Sequence, residues 1–284
     1  MLRSLFAGIS GLRVNQAMLD VTGNNIANAN TIGFKSSGTV FEDTLSQMLT
    51  SSSAANATRG GTNPMQIGLG VQLAGTDMNM TQGSTQMTGR ATDLMIQGDG
   101  MFVVKKNGED LYTRAGSFTF DNTGTLVTPS GARVQGYALD AAGKPTGGLI
   151  DVTLDTTNAT PPVGAGVNMT SYTIGADGKL RATFSDNVQR DLAQIAIANF
   201  PNPQGLEKVG ETAFRATANT GTVTTGVPGQ GMNGTLVGGA VEMSNVDLAQ
   251  EFTDLILAQR GFQASSRVIT TSDQVLEDLV NIKR

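Results

Sequence analysis

The sequence predicts an α+β fold, with paired helices at the two ends of the chain flanking an antiparallel β-rich middle. Three observations predict it. Apolar residues recur every seven positions at both ends, and Asn-Gly and Asp-Gly turns separate short β-like runs in the middle. Glycine, at 36 of 284 residues, is also close to twice its usual share of about 7%. Only 15% of the residues are charged. That balance suits a turn-rich protein whose large, uncharged polar surfaces pack against copies of themselves.

The first helix carries Leu5, Leu12, Leu19 and Ile26 at heptad spacing, with Leu2 and Ile9 on a companion line. Strict 3.5-residue spacing favours a coiled-coil seam. The companion line turns polar or empty at Gln16 and Gly23. At the other end Leu248, Leu255, Phe262, Ile269 and Leu276 are each seven apart, and Phe252, Leu279 and Val280 widen the stripe. Gln259, Ser266 and Asp273 interrupt it. Ser244 with Asp247 three residues later reads as a capping box that opens this helix. Complementary seams at the two ends predict that the helices pair with each other; two ordinary amphipathic helices on a globular core are the other reading. The interruptions, with a seam only marginally stable by itself, predict terminal segments that are mobile in the isolated subunit and become helical only on assembly.

Between the ends, Met101–Val104 and Leu111–Arg114 flank Asn107-Gly108, a strong hairpin signal. Residues 117–120 and 125–128 flank a turn at Asp121–Gly124, and 172–174 and 179–184 flank Asp177-Gly178. Three hairpins predict an antiparallel β domain. The expected organisation is terminal helices at 1–30 and 244–284, a linker at 31–70, and the β domain at 71–243. The stretches around Ser51–Ser53 and Thr217–Gly231 hold few large apolar residues and read as extended connectors.

What is missing narrows function. Without histidine there is no imidazole base, catalytic triad or histidine metal ligand. Without cysteine there is no thiol nucleophile, zinc-thiolate site or disulfide. A net charge of -5 with no basic run argues against nucleic acid as a partner. No apolar run approaches the roughly 20 residues of a membrane-spanning helix, so no membrane insertion is expected. The N-terminal apolar residues are spaced rather than continuous, unlike a secretory signal, which implies an export route that spares the N-terminus. Gly68-Leu69-Gly70 and Gly98-Asp99-Gly100 complete no phosphate-binding pattern and read as turn glycines. The adjacent acids Glu42-Asp43, Glu109-Asp110 and Glu277-Asp278 point apart on any regular element and read as solvated surface. The expectation is a protein that is not an enzyme and uses no cofactor or metal.

Generic physics leaves one stretch unexplained, Gly23-Asn24-Asn25-Ile26-Ala27-Asn28-Ala29-Asn30-Thr31-Ile32-Gly33-Phe34-Lys35. A helix end followed by an asparagine-rich turn accounts for Asn28 to Gly33. It does not account for four asparagines intruding on a seam that still includes Ile26; asparagines that bond the backbone of a neighbouring chain would. This pattern resembles the signature of bacterial flagellar rod and hook proteins, carried here by Asn24, Asn25, Asn28, Gly33, Phe34 and Lys35. Thr92–Val104, Tyr112–Phe118 and Ser244–Leu248, with Ala258-Gln259-Arg260 and Ser272–Leu276, resemble the family's other motifs, with Met95 and Met101 as departures. The likeness runs along the whole chain.

Within that family, Thr62–Val71 and Ala196–Leu206 resemble hook proteins, and the chain has no room for the outer domains of the larger ones. The compact hook version is therefore implied, with the distal rod subunit as the alternative. The resemblance implies a structural, secreted subunit of the extracellular flagellum that polymerises with itself into a curved tube joining rod to filament. It further implies distal rod, hook cap and hook-filament junction proteins as neighbours, and export through the flagellar secretion apparatus. The assembly seam would comprise Leu5, Ile9, Leu12, Leu19, Ile26, Leu248, Phe252, Leu255, Phe262, Ile269 and Leu276. A carboxylate enzyme of β architecture and a secreted adhesin with Gly/Thr-rich repeats are the readings from other classes.

Overall fold

Neither terminal segment contains proline, and each is rich in helix-forming leucine and alanine. In a computed structural model, which describes residues 2–55, 59–140, 143–155, 161–162 and 169–282, they form α1 (Leu2–Ala27) and α2 (Leu248–Ile282). Expectations that fall on Met1, on 56–58 of the linker, on 141–142, 156–160 and 163–168 of the β domain, and on 283–284 lie outside the described residues. The start of α2 differs from the capping box at Ser244. Asp247 is the cap, its Oδ1 accepting from the amides of Ala249 at 2.9 Å and Gln250 at 3.3 Å. A carboxylate one residue before the helix reaches those free amides directly.

The chain divides into two units. The first holds α1, α2 and residues 36–79. Here β1 (Ser37–Asp43) pairs antiparallel with β4 (Val71–Met78), and β2 (Ser46–Thr50) pairs with β3 (Met65–Gly68). A further bridge joins Ser53 to Thr62. The stretch expected as a linker is thus a hairpin arm whose return strand, Val71–Met78, groups with the helices. Extended backbone requires a partner for its amides and carbonyls, and the two halves of the arm supply each other. Most of the arm's side chains are exposed.

The second unit spans residues 28–35 and 80–245. Its strands begin with β5 (Thr85–Met87), β6 (Leu94–Gln97), β7 (Met101–Lys106), β8 (Glu109–Thr113), β9 (Thr119–Phe120) and β10 (Leu126–Val127). They continue with β11 (Arg133–Leu139), β12 (Pro145–Asp151), β13 (Met169–Ile174), β14 (Lys179–Phe184), β15 (Gln189–Ile195) and β16 (Ile197–Asn199). Last come β17 (Glu207–Gly210), β18 (Ala213–Arg215), β19 (Thr224–Gly226), β20 (Thr235–Gly238) and β21 (Ala240–Glu242). The main sheet runs β13-β14-β15-β11-β7-β8-β18-β17, all antiparallel.

All three predicted hairpins are present. Asn107 and Gly108 both take positive φ, at 53° and 88°, the geometry of the tight turn whose twist matches its flanking strands. β14 alternates as its sequence does: Leu180, Ala182 and Phe184 are buried, and Lys179, Arg181 and Thr183 less so. β7, in the middle of the sheet, buries four consecutive residues, Met101–Val104, because both of its faces are covered. The core closes around Phe102 and Phe118, packed edge to face at 5.1 Å, with Leu94, Ile96, Ile195 and Leu236. Each such side chain contributes roughly 1.5–3 kcal/mol by leaving water.

Candidate functional site

In the first unit the two helices run antiparallel along a line of small and polar residues. Ser4 faces Ser272, with their hydroxyls 3.3 Å apart. A Cβ on Gly8 would sit 3.0 Å from Ile269 Cγ1, one on Gly11 would sit 2.8 Å from Ser265 Oγ, and one on Gly261 would sit 2.4 Å from Asn15 Oδ1. At each of these points one helix contributes a glycine, so the facing Ile269, Ser265 and Asn15 side chains pack directly on its backbone. Leu5, Leu12, Leu19, Ile26, Leu255, Ile269 and Leu276 are half-buried. Ile9, Leu248, Phe252 and Phe262 are exposed.

Other large apolar residues also point outward, among them Phe6 at 65% exposure, Ile256, Leu257 at 64%, Val268, Val275 and Leu279. Apolar surface on this scale in one subunit marks an interaction face. The geometry therefore presents two kinds of helix surface. A narrow polar line joins α1 to α2, and a broad apolar surface is left outside it.

Asn25 lies at the end of α1 and is buried. Its Nδ2 donates to Ser37 O and to Glu251 Oε1, both at 2.8 Å, and its Oδ1 accepts from Ser37 N at 3.1 Å. This residue bonds backbone of its own chain, not of a neighbour, and so ties α1 to β1 and α2. Asn24 lies on the exposed side of α1. Burial pushes the Glu251 carboxyl above its usual range; the Asp254 and Asp247 charges push the same way, against the Asn25 hydrogen bond.

In the second unit the rest of the signature meets the other motifs. Asn28 Oδ1 accepts from Thr31 Oγ1 at 3.0 Å and holds the turn. Gly33 takes φ +69°, and a Cβ there would lie 2.4 Å from Ala115 N, so only glycine fits. The Phe34 ring lies under Lys208 Nζ at 5.0 Å, and burial pulls the Lys208 pKa down.

Lys35 is buried, its Nζ donating to Glu242 Oε1 at 2.6 Å and to Thr81 O at 2.7 Å. Arg114 Nε donates to Glu242 Oε2 at 2.8 Å, and its other nitrogens donate to Gly98 O at 2.6 Å and to Gly100 O. The Gly83 amide adds a bond to Glu242 Oε1 at 2.9 Å. One buried carboxylate therefore serves two buried cations. The chain crosses this point twice, at Gly33 and at Glu242, whose amide and carbonyl pair at 2.8 Å. Burial lowers the Lys35 pKa despite the Glu242 hydrogen bond.

Sequence reasoning singled out Lys35 but missed Arg114 and Glu242 as its partners. A signal existed: Glu242 ends the apolar run Ala240-Val241, where a lone charge requires a mate. Among the described residues no helix is long and apolar enough to cross a membrane.

Residues 95–182 match the family described as the flagellar hook protein FlgE/F/G D1 domain, 237–282 match the flagellar basal body rod FlgEFG protein C-terminal family, and 5–35 match the flagella basal body rod protein family. The chain is 46% identical to the flagellar basal-body rod protein FlgG of Bacillus subtilis (strain 168), with 100% of each covered. It is 33% identical over 294 residues to the basal-body rod protein FlgG of Borreliella burgdorferi, again with 100% of each covered. To the flagellar hook protein FlgE of the same organism it is 31% identical over 441 residues, with 100% of each covered.

Proposed function

The chain belongs to the flagellar hook and basal-body rod protein family, and from that premise we propose that it is the hook subunit. Proteins of this family are structural and non-enzymatic, and this chain is an axial subunit of the flagellum that polymerises with itself. In the hook it would form the curved tube that transmits rotation from rod to filament. Its neighbours would be the distal rod, the hook cap and the hook-filament junction proteins. The chain would reach them through the flagellar export apparatus.

One observation carries the choice of hook over rod: the surface of the arm. β2 and β3 are exposed along their whole length, and Met48 and Met65 stand out from them. Around the Ser53–Thr62 bridge the chain is small, polar and rich in glycine. Unbranched thioethers repack readily, and small polar residues lose little contact area when neighbours slide. A tube whose subunits shift against each other on every rotation requires such a surface.

The distal rod is the second reading, favoured by the 46% identity to a rod protein. The branched apolar residues Leu45, Leu49 and Ile67, also exposed on the arm, favour it too, because they would lock a contact. Deleting the gene and imaging the purified basal bodies decides between them. Loss of the hook with a complete rod retained supports the hook; a truncated rod assigns the chain to the distal rod.

A further inference from the structure

The β unit carries a cavity of about 520 Å³ that the buried ion cluster does not use. Its floor is apolar, made by Val104, Leu111, Ala132 and Ala213. Lys106 and Glu211 close one side with an ion pair at 2.5 Å, so the rim presents no uncompensated charge. Glu211 and Thr212 on that rim hold φ of 55° and 56°. A β-branched residue adopts such backbone rarely, and strain of this kind gathers at ligand clamps and contact sites.

The same unit carries a knob. The turn from Pro228 to Gly234 is held by Gly229 N to Gly234 O at 3.0 Å, by Asn233 N to Gln230 O at 3.2 Å and by Asn233 Nδ2 to Val227 O at 3.2 Å. Near its apex Met232 is 81% exposed, and no charged residue lies between Val227 and Gly238. An ordered turn that holds a flexible apolar side chain in water is pre-organised for a contact.

Strand alternation places knob and cavity on opposite faces of the β7–β8 ribbon. Val104 and Leu111 are paired across it and line the cavity. Met101 and Arg114 point to the other face, where with Met232 they line a second, smaller hollow. A knob and a hole on opposite faces cannot satisfy each other in a closed two-fold dimer. They match head to tail and propagate.

We propose that Met232 of one subunit inserts into the Val104–Leu111 cavity of the next copy, forming a repeating contact between β units. The inference rests on the reading of the chain as a self-assembling subunit. A neutral apolar knob meets a neutral apolar hole, and the family's self-polymerisation supplies the second copy.

The test uses the full chain. Protein is concentrated until it polymerises, and the critical concentration is read by sedimentation. Met232→Asp changes an exposed side chain, so the monomer melts as wild type does, while the critical concentration rises on the order of tenfold or more. An unchanged critical concentration overturns the inference. The site is then located with Met232→Cys and Ser130→Cys combined, since the chain has no other cysteine and Ser130 lies on the rim of the cavity. Oxidation of the assembled polymer yields a ladder of covalent oligomers that neither single variant gives. Polymer without a ladder overturns the pairing. A Met232→Asp monomer that melts early leaves the cross-link as the deciding result, read as a covalent heterodimer on mixing the two single-cysteine chains if the double variant does not assemble. A small apolar molecule retained in the cavity of the purified monomer, seen by native mass spectrometry, also overturns it. Wild-type protein that never polymerises defeats the proposed function itself, a different result from a variant that polymerises as wild type does.

Discussion

Glu242 compensates two buried cations, so the three members of its cluster are not equivalent. Removing one partner from a buried pair leaves an uncompensated charge, at a loss of about 3–5 kcal/mol. Glu242→Gln leaves both Lys35 and Arg114 in that position. Lys35→Met leaves the Arg114–Glu242 pair intact and balanced, removes the buried cation together with its charge, and forfeits its bonds to Glu242 Oε1 and Thr81 O. The expected order is a loss of about 3–5 kcal/mol for Glu242→Gln and roughly 1–2 kcal/mol for Lys35→Met. Tyr112, Tyr137 and Tyr172 all lie in the β unit, and the chain has no tryptophan. Denaturant titration followed by tyrosine fluorescence therefore reads this unit alone, and equal losses would contradict the charge argument.

Glu251 is the residue at which acidity acts on the helices. Its carboxyl is raised in the folded state, so folding is favoured where the group is neutral, and that contribution is lost as pH rises through the raised value. Glu251→Gln keeps an acceptor for Asn25 Nδ2 and removes the charge. It is expected to stabilise the helical unit modestly at neutral pH, the group being partly solvated. The gain should vanish in acid below the ordinary glutamate range, as checked by helical circular dichroism across pH.

At the scale of the element, α1 and α2 divide their surfaces between two tasks. The line of Gly8, Gly11, Asn15, Gly261 and Ser265 lets the two helices approach. The outward apolar residues, Phe252 among them, are left for contacts beyond the subunit. Phe252→Asp sits at an exposed position, so the monomer should keep its melting temperature. Buried against a neighbouring subunit without a partner, the new carboxylate costs several kcal/mol, and polymerisation should fail. Sedimentation of concentrated variant checks both halves; normal polymer would remove Phe252 from the assembly seam. The arm belongs to this scale as well. Its ladder gives β1 to β4 their hydrogen bonds without giving most of their side chains a core.

At the scale of the molecule, the two units differ in how they are held. The β unit encloses a cluster of fully buried side chains that includes Leu94, Ile96, Phe102, Phe118, Leu180 and Ile195. Among the described residues of the helices, only Val14, Thr22, Asn25, Ala258, Ser272 and Gly8 are buried. Regions with few buried apolar contacts open at low free energy. Amides of α1 and α2 in dilute monomer are therefore expected to exchange orders of magnitude faster than those of β7 and β15. Polymer formation should protect them. Strong helix protection in a verified monomer would refute this division.

Periodicity by itself determined that helices stand at both ends and antiparallel strands between them, because a seven-residue repeat and paired turn residues are local signals. Asn107-Gly108 located a turn to the residue for the same reason. Local pattern could not choose which helix face meets which. Leu248 and Phe262 share a heptad line with Leu255 and Ile269, yet the tertiary structure leaves the first two exposed, and Phe252 beside them, and brings Gly261 and Ser265 against α1. The reason is steric: a glycine on one helix makes room for a side chain of the other, and which residues face each other is a property of the pair and not of either sequence. Nor could the chain announce that Lys35, Arg114 and Glu242 meet. Their charges lie far apart in sequence, and only the folded β unit, by burying all three, makes each depend on the others.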